Sequence, residues 1–255
     1  MNYGLWMSAA GLSSQVHRQD VIANNLANAK TIAFKPDFTQ TQERPTAVEE
    51  FGQLVGSQQL LEKLGGGVLL DPTWTNYTQG SLEESGNPFD LALEGPGFFM
   101  VRNQEGEEYL TRAGTFQSSR SGHLVNESGD LVLDARRRPI SLPDPEEGPL
   151  SITHDGTILV GEDDQVAQIG VVSADTKDLR KEGGNQYAYM GNTKLLPASP
   201  ETQVRQGWTE ASGTDPVIEI TRLIESSRAI EANARLIGIH DQVMKLTVNR
   251  LGAIA

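Results

Sequence analysis

The chain has 255 residues, a formal net charge of −13, 37% hydrophobic residues and no cysteine. The acidic balance argues against nucleic acid or an anionic membrane as a partner. The lack of cysteine excludes disulfides, thiolate chemistry and cysteine-based metal sites, and suits either a reducing cytosol or a chain exported unfolded. The length allows one or two domains. The hydrophobic content is low for a compact enzyme and fits an elongated molecule. No run of about eighteen apolar residues exists, so no membrane insertion is expected. Met1 to Ala10 carries no positive n-region and is amphipathic, so it is not expected to be a cleaved signal peptide.

The first element is a helix within 1–30. Leu5, Ala9, Leu12, Val16, Gln19, Ala23 and Leu26 step by four and three, the spacing of an apolar helical face. The helix runs into Asn24, Asn25 and Asn28, residues that tolerate the left-handed conformation of a C-cap. A linker over 31–67 follows. It is extended through Thr31–Pro36, because a residue before proline avoids the helical region. Signals from Asp37 to Gly67 are weak. Val48 to Leu64 fits a short helix or a polar loop, and Gly65-Gly66-Gly67 a break.

Over 68–184 the period changes to two. Val68 and Leu70, Phe98 and Met100, Leu131 and Leu133, and Ile158 and Val160 alternate with other residues, as half-buried strands do. Glycine-rich turns recur, and Asp155-Gly156 between Ile152 and Ile158 reads as a type I′ hairpin. A β-sandwich or irregular barrel is expected. A piece from about Leu69 to Ser173 is expected to fold alone. A return linker over 185–214, with Pro197 and Pro200, leads to the last element.

That element, over 215–255, is a long helix. Asp215 suits an N-cap and Pro216 the first turn. Ile220, Leu223, Ser227, Ile230, Ala234, Ile237, Asp241, Met244, Val248 and Leu251 form an unbroken heptad seam. At about 1.5 Å per residue the helix is about 54 Å long, against about 36 Å for the first. The two are expected to pair antiparallel, leaving the tip of the longer one beyond its partner. That tip carries a second stripe, Ala232, Leu236, Ile239, Val243 and Leu246, which one short partner cannot cover. The fold class is therefore α+β: discontinuous N- and C-terminal coiled-coil helices around a central mainly-β domain.

Catalytic patterns are weak. His17, His123, His154 and His240 lack metal-ligand spacing. No Gly-x-Ser-x-Gly elbow, phosphate loop or dinucleotide fingerprint occurs. Glu83-Glu84 and Glu146-Glu147 would point to opposite faces of a strand. Arg136-Arg137-Arg138, ahead of Pro139, reads as a solvated hairpin turn. No cofactor or metal is expected. Three functions compete: a polymerising structural protein, a coiled-coil adaptor with a β ligand-binding head, and an enzyme built from Asp, Glu and Ser residues that the sequence does not connect.

Three stretches together resemble the flagellar basal-body rod and hook protein family. The first is Val21-Ile22-Ala23-Asn24-Asn25-Leu26-Ala27-Asn28-Ala29 followed by Thr31-Ile32-Ala33-Phe34-Lys35, with Ala33 where the family usually has glycine. The second runs from Gly86-Asn87-Pro88-Phe89-Asp90 through Gly95-Pro96-Gly97-Phe98-Phe99 to Thr111-Arg112-Ala113-Gly114-Thr115-Phe116 and Gly122-His123-Leu124-Val125. The third is Gln206-Gly207-Trp208-Thr209-Glu210-Ala211-Ser212, with Gly213 where asparagine is usual, followed by Ser227-Arg228-Ala229-Ile230-Glu231-Ala232-Asn233-Ala234. Length and layout are similar to the rod members rather than the longer hook protein. The resemblance implies a non-enzymatic structural subunit of the periplasm-spanning rod, exported without a cleaved signal through the flagellar type III apparatus. It implies as partners the chain itself, other rod and hook proteins, and the export apparatus. The assembly interface is expected at Leu5, Leu12, Val16, Asn24, Asn25, Leu26 and Asn28. On the last helix it is expected at Ile220, Leu223, Ile230, Ala234, Ile237, Ile239, Val243, Met244, Leu246, Val248 and Leu251.

Overall fold

The computed structural model describes residues 3–45, 67–143, 150–161 and 164–252. The readings of Val48–Leu64, of Gly65 and Gly66, and of Glu146-Glu147 lie outside them. Two helices flank a mainly-β middle, so the fold is α+β: α1 is Tyr3–Ala27 and α2 is Pro216–Gly252. The chain divides into a helical unit, residues 1–27, 36–76 and 215–255, and a β-unit, residues 28–35 and 77–214.

In the helical unit Asp215 caps α2. Its Oδ1 accepts from the backbone N–H of Val217 at 2.8 Å and of Ile218 at 3.3 Å, which satisfies donors that the first turn leaves open. Two short ladders accompany the helices. Asp37–Phe38 pairs with Trp74–Thr75, and Thr41–Glu43 with Val68–Leu70, both antiparallel. Val68 and Leu70 thus belong with the helices and not with the central sheet. All three residues of Val68–Leu70 are exposed, so an alternation of apolar residues there does not mark a buried face.

The β-unit is built on a nine-stranded antiparallel sheet among the described residues. The strand Phe98–Arg102 lies near its middle, paired along one side with Glu108–Thr111. Its other side is shared: Val171–Ser173 takes Phe98 and Phe99, while Leu131–Val132 takes Val101 and Arg102. Side chains alternate across a strand, so this one strand feeds two cores. Phe99 and Val101 pack with Leu91, Leu93, Phe116, Leu124, Val132, Ile140 and Ile158. Phe98 and Met100 pack with Leu110, Leu133, Val172 and Tyr187.

The stretch read as a return linker contributes strands that pair with earlier ones. Gln186–Tyr189 pairs with Glu108–Thr111, Gln203–Gln206 with Leu91–Glu94, and Trp208–Glu210 with Leu82–Glu84. Tyr187 and Val204 are buried there. A piece ending near Ser173 lacks all three of these strands and the Tyr187 ring of the second core. Its independent folding is not supported, because a sheet unit is stabilised by its cross-strand neighbours.

Two turns show how local chemistry sets the backbone. Gly156 has φ 81° while Asp155 stays at negative φ, so the turn is not type I′. The Gly156 N–H instead bonds Thr153 O at 2.9 Å, leaving one glycine in the left-handed region at the end of a longer loop. Arg137 does adopt positive φ, 62°, in the arginine turn. Asp134 organises that turn, accepting from the backbone N–H of Arg136 and Arg138 and from the Arg138 guanidinium. Burial pushes the Asp134 carboxyl up, but these bonds, those of Arg138 first, hold it below the usual carboxylate range.

Ala33 has φ 56° and is fully buried. A left-handed turn that suits glycine is therefore made here with alanine, at a strain of about 1–2 kcal/mol. Hydrogen bonds hold it. Its N–H bonds Glu210 O at 2.7 Å, and the Asn185 side-chain amide donates to Ile32 O at 2.7 Å.

Candidate assembly interface

Helices α1 and α2 pack antiparallel within the helical unit. A Cβ placed on Gly4 would lie 2.7 Å from the His240 ring, and one on Gly11 would lie 3.6 Å from the Asn233 side chain. Nearer the inner ends, Ser226 Oγ donates to Gln15 O at 3.1 Å, and Gln19 Nε2 donates to Ser227 Oγ at 3.0 Å. Glycines at Gly4 and Gly11 leave room for polar side chains opposite them.

The face of α2 turned to α1 has two columns. One is Leu223, Ile230 and Ile237, all half-buried. The other is polar: Glu219 and Ser226 are buried at 3% exposure, Asn233 is half-buried, and His240 meets Gly4. All step by seven, so the heptad period holds. Of the expected seam positions Ile220, Ser227, Ala234 and Asp241, Ser227 is half-buried and bonds Gln19 of α1, whereas the other three stand one residue round the helix from the observed polar column. Ile220 is 46% exposed, and Ala234 and Asp241 are exposed. Hydrogen bonding to α1 and the space above its glycines favour the polar column, which an apolar-inside rule passes over. Glu219 is held by Arg222, whose nitrogen lies 2.6 Å from Oε1. The Arg222 guanidinium in turn lies over the Phe38 ring, which packs on Trp74 with centroids 5.0 Å apart.

The expected interface residues therefore separate. Leu5, Leu12, Leu26, Leu223, Ile230 and Ile237 are half-buried within the chain. Asn25 is buried, with its amide bonded to both the N–H and C=O of Asp37. Asn28, in the β-unit, is half-buried and accepts from Thr31 and Ser212. Asn24 and Val16 are exposed. The tip of α2 is open on all sides. Leu236, Ile239, Val243, Met244, Leu246 and Val248 are 41–64% exposed, and residues 238–249 are all exposed. The side chain of Leu251 lies outside the described residues. Exposed apolar residues also mark the root of α2, at Val217, Ile218, Ile220 and Ile224, and the start of α1, at Trp6 and Met7.

Two histidines of the β-unit make structural contacts. His123 Nδ1 lies 3.1 Å from Ser141 Oγ, and the His154 ring faces Val204 O. Among the described residues no group of three or more His, Asp and Glu could hold a metal, and no helix is long and apolar enough to cross a membrane.

Comparison with known proteins matches this layout segment by segment. A family described as "Flagella basal body rod protein" matches residues 7–35. "Flagellar hook protein FlgE/F/G D1 domain" matches residues 92–160. "Flagellar basal body rod FlgEFG protein C-terminal" matches residues 205–251. The flagellar basal-body rod protein FlgF of Caulobacter vibrioides is 37% identical, covering 96% of this chain and 97% of its own. FlgF of Mesorhizobium japonicum is 33% identical over 92% of each. The rod protein FlgG of Caulobacter vibrioides is 30% identical over 94% of this chain and 96% of its own. With matches to both terminal helices and the intervening β-unit, and with relatives aligned over nearly their whole length, the chain belongs to the flagellar basal-body rod protein family.

Proposed function

We propose that the chain is a structural subunit of the bacterial flagellar basal-body rod. It polymerises through its terminal helices into a tubular shaft that transmits torque to the hook and filament. The supporting observation is the α2 tip: Leu236, Ile239, Val243, Leu246 and Val248 are all about half exposed around and beyond His240, the residue that meets Gly4 near the start of α1. Contiguous apolar surface of this kind marks an interaction site. Its partners are further copies of the chain and other rod and hook proteins. The role is non-enzymatic, and the chain reaches the basal body through the flagellar export apparatus. The interface comprises Ile239, Val243, Met244, Leu246 and Val248 at the tip, continued by Ile220 at the root and Val16 on α1. Leu223, Ile230 and Ile237 hold α1 to α2 beneath it. The adaptor reading is not favoured by relatives that carry the name of rod proteins over their full length.

The test is incorporation. In cells whose only copy carries both Ile239→Asp and Leu246→Asp, the full-length protein should be present but absent from purified basal bodies, because two carboxylates would be buried without partners. The helical unit of the isolated chain should keep its α1–α2 pairing, since both positions are more than half exposed. Normal incorporation of the double variant would rule out the tip as an interface.

A further inference from the structure

The chain passes between its two units at residues 27/28, 35/36, 76/77 and 214/215. On the β-unit side those passages are made by three segments: Asn28–Lys35, the stretch starting at Tyr77, and the stretch ending at Thr214. One buried ammonium touches all three. Lys35, on the first, donates to Thr78 O on the second at 2.7 Å and to Glu210 Oε1 on the third. The side chains of Lys35 and Glu210 are both fully buried.

We propose that the Lys35–Glu210 pair ties these three segments into one cooperative knot, so that they open and close together and not strand by strand.

The backbone around the pair is cross-linked in the same pattern. Ala33 N–H bonds Glu210 O, Gly213 N–H bonds Phe34 O, Ala211 N–H bonds Ser81 O, and Gly80 N–H bonds Glu210 Oε1. Further bonds to the first segment come from late in the chain. Lys181 Nζ donates to Lys35 O and lies 4.3 Å from the Phe34 ring centroid, and Ser212 Oγ donates to Asn28 O. Arg112 extends the knot into the sheet. One of its terminal nitrogens lies 3.4 Å from Glu210 Oε2, and the other donates to Gly95 O at 2.8 Å. Two cations thus share one carboxylate in a site closed to water. Burial pushes both Lys35 and Arg112 below their ordinary ranges, and Glu210 pulls each back toward the charged form. Removing the carboxylate would strand both charges, and a stranded buried charge is strongly destabilising. No one segment can leave without breaking contacts on the other two. In a rod subunit, load reaching the β-unit would then be shared among its chain passages. That consequence rests on the rod reading, whereas the knot itself belongs to the isolated chain.

Native-state hydrogen exchange on the full-length monomer tests the knot without any assembly step. In Glu210→Gln the amides of Ala33, Gly80, Ala211 and Gly213, drawn from all three segments, should lose protection by one common factor of about tenfold or more. The amides of Met100 and Leu133, which bond Gly170 O and Met100 O within the sheet, should change by less than about twofold. Should Glu210→Gln not fold, Glu210→Asp keeps the charge and should show the same grouping with a smaller factor. Acceleration confined to Gly80, the direct partner of the carboxylate, would overturn the proposal. An equal loss at all six amides would also overturn it, because the pair would then stabilise only the global fold. Either failure would leave the rod reading intact, since that is tested by incorporation.

Discussion

Gly114→Ala should strongly destabilise the β-unit. A Cβ at this position would lie 1.7 Å from Leu91 O, 2.8 Å from Leu91 C and 3.1 Å from the Phe99 ring. Neither backbone can step aside cheaply. Leu91 N–H bonds Gly114 O at 2.9 Å, and the strand Leu91–Glu94 is fixed on Gln203–Gln206 with Leu91, Ala92 and Leu93 all buried. Phe99 is fully buried and packs edge-on against Phe116. Overpacking a core usually costs about 1–3 kcal/mol, and here the clash is with backbone, so at least about 3 kcal/mol is expected. That is a large part of a domain stability of about 5–15 kcal/mol. Denaturant unfolding of the full chain measures it. Gly238→Ala is the control: nothing lies within 4 Å of its Cβ and it sits in helix α2, outside the β-unit, so the unfolding midpoint of the β-unit should not move. If Gly114→Ala unfolds at the parent's midpoint, the close approach of Gly114 to Leu91 is wrong.

Ile237→Asp should abolish motility by a route different from that of the tip variants. Ile237 is half-buried at the end of the column it shares with Leu223 and Ile230, between the levels where Asn233 faces Gly11 and His240 faces Gly4. A carboxylate there meets α1, not only a neighbouring subunit. Burying it unpaired is expected to cost about 1–3 kcal/mol, enough to separate the outer turns of a two-helix pair. Loss of swimming, together with loss of helical signal in the isolated chain and an unchanged β-unit, is the expected outcome. Flagella assembled at the normal level would show that this column carries neither pairing nor assembly.

The helices were legible because their signals are local. Asp215 followed by Pro216 marks the start of α2, and seven-residue spacing reads directly as a packed helical face. The column that faces α1 was not legible. Glu219, Ser226, Asn233 and His240 look like a solvated edge until Gly4, Gly11 and Gln15 are placed opposite them. In the β-unit, glycine-rich turns and alternating residues announced strands, but partner choice depends on contacts far apart in sequence. Gln203–Gln206 and Trp208–Glu210 are short and mostly polar, so only Val204 and Trp208 hinted at pairing. The return stretch therefore read as a linker. The Lys35–Glu210–Arg112 network spans 175 positions between its first two members, and no spacing rule links such residues. Their presence in the motifs shared with rod proteins was a signal, but not one that spacing alone could interpret.

The central claim is that the outer part of α2 gains its burial from neighbouring subunits, with folding of the tip coupled to polymerisation. Hydrogen exchange on a dilute monomer, followed across residues 237–251 and compared with the same residues in assembled rods, tests it most directly. The expected result is fast exchange in the monomer, where residues 238–249 are exposed all round, and strong protection after assembly. Strong protection of those amides in the dilute monomer would contradict the account, because the tip would then be stable without any neighbour.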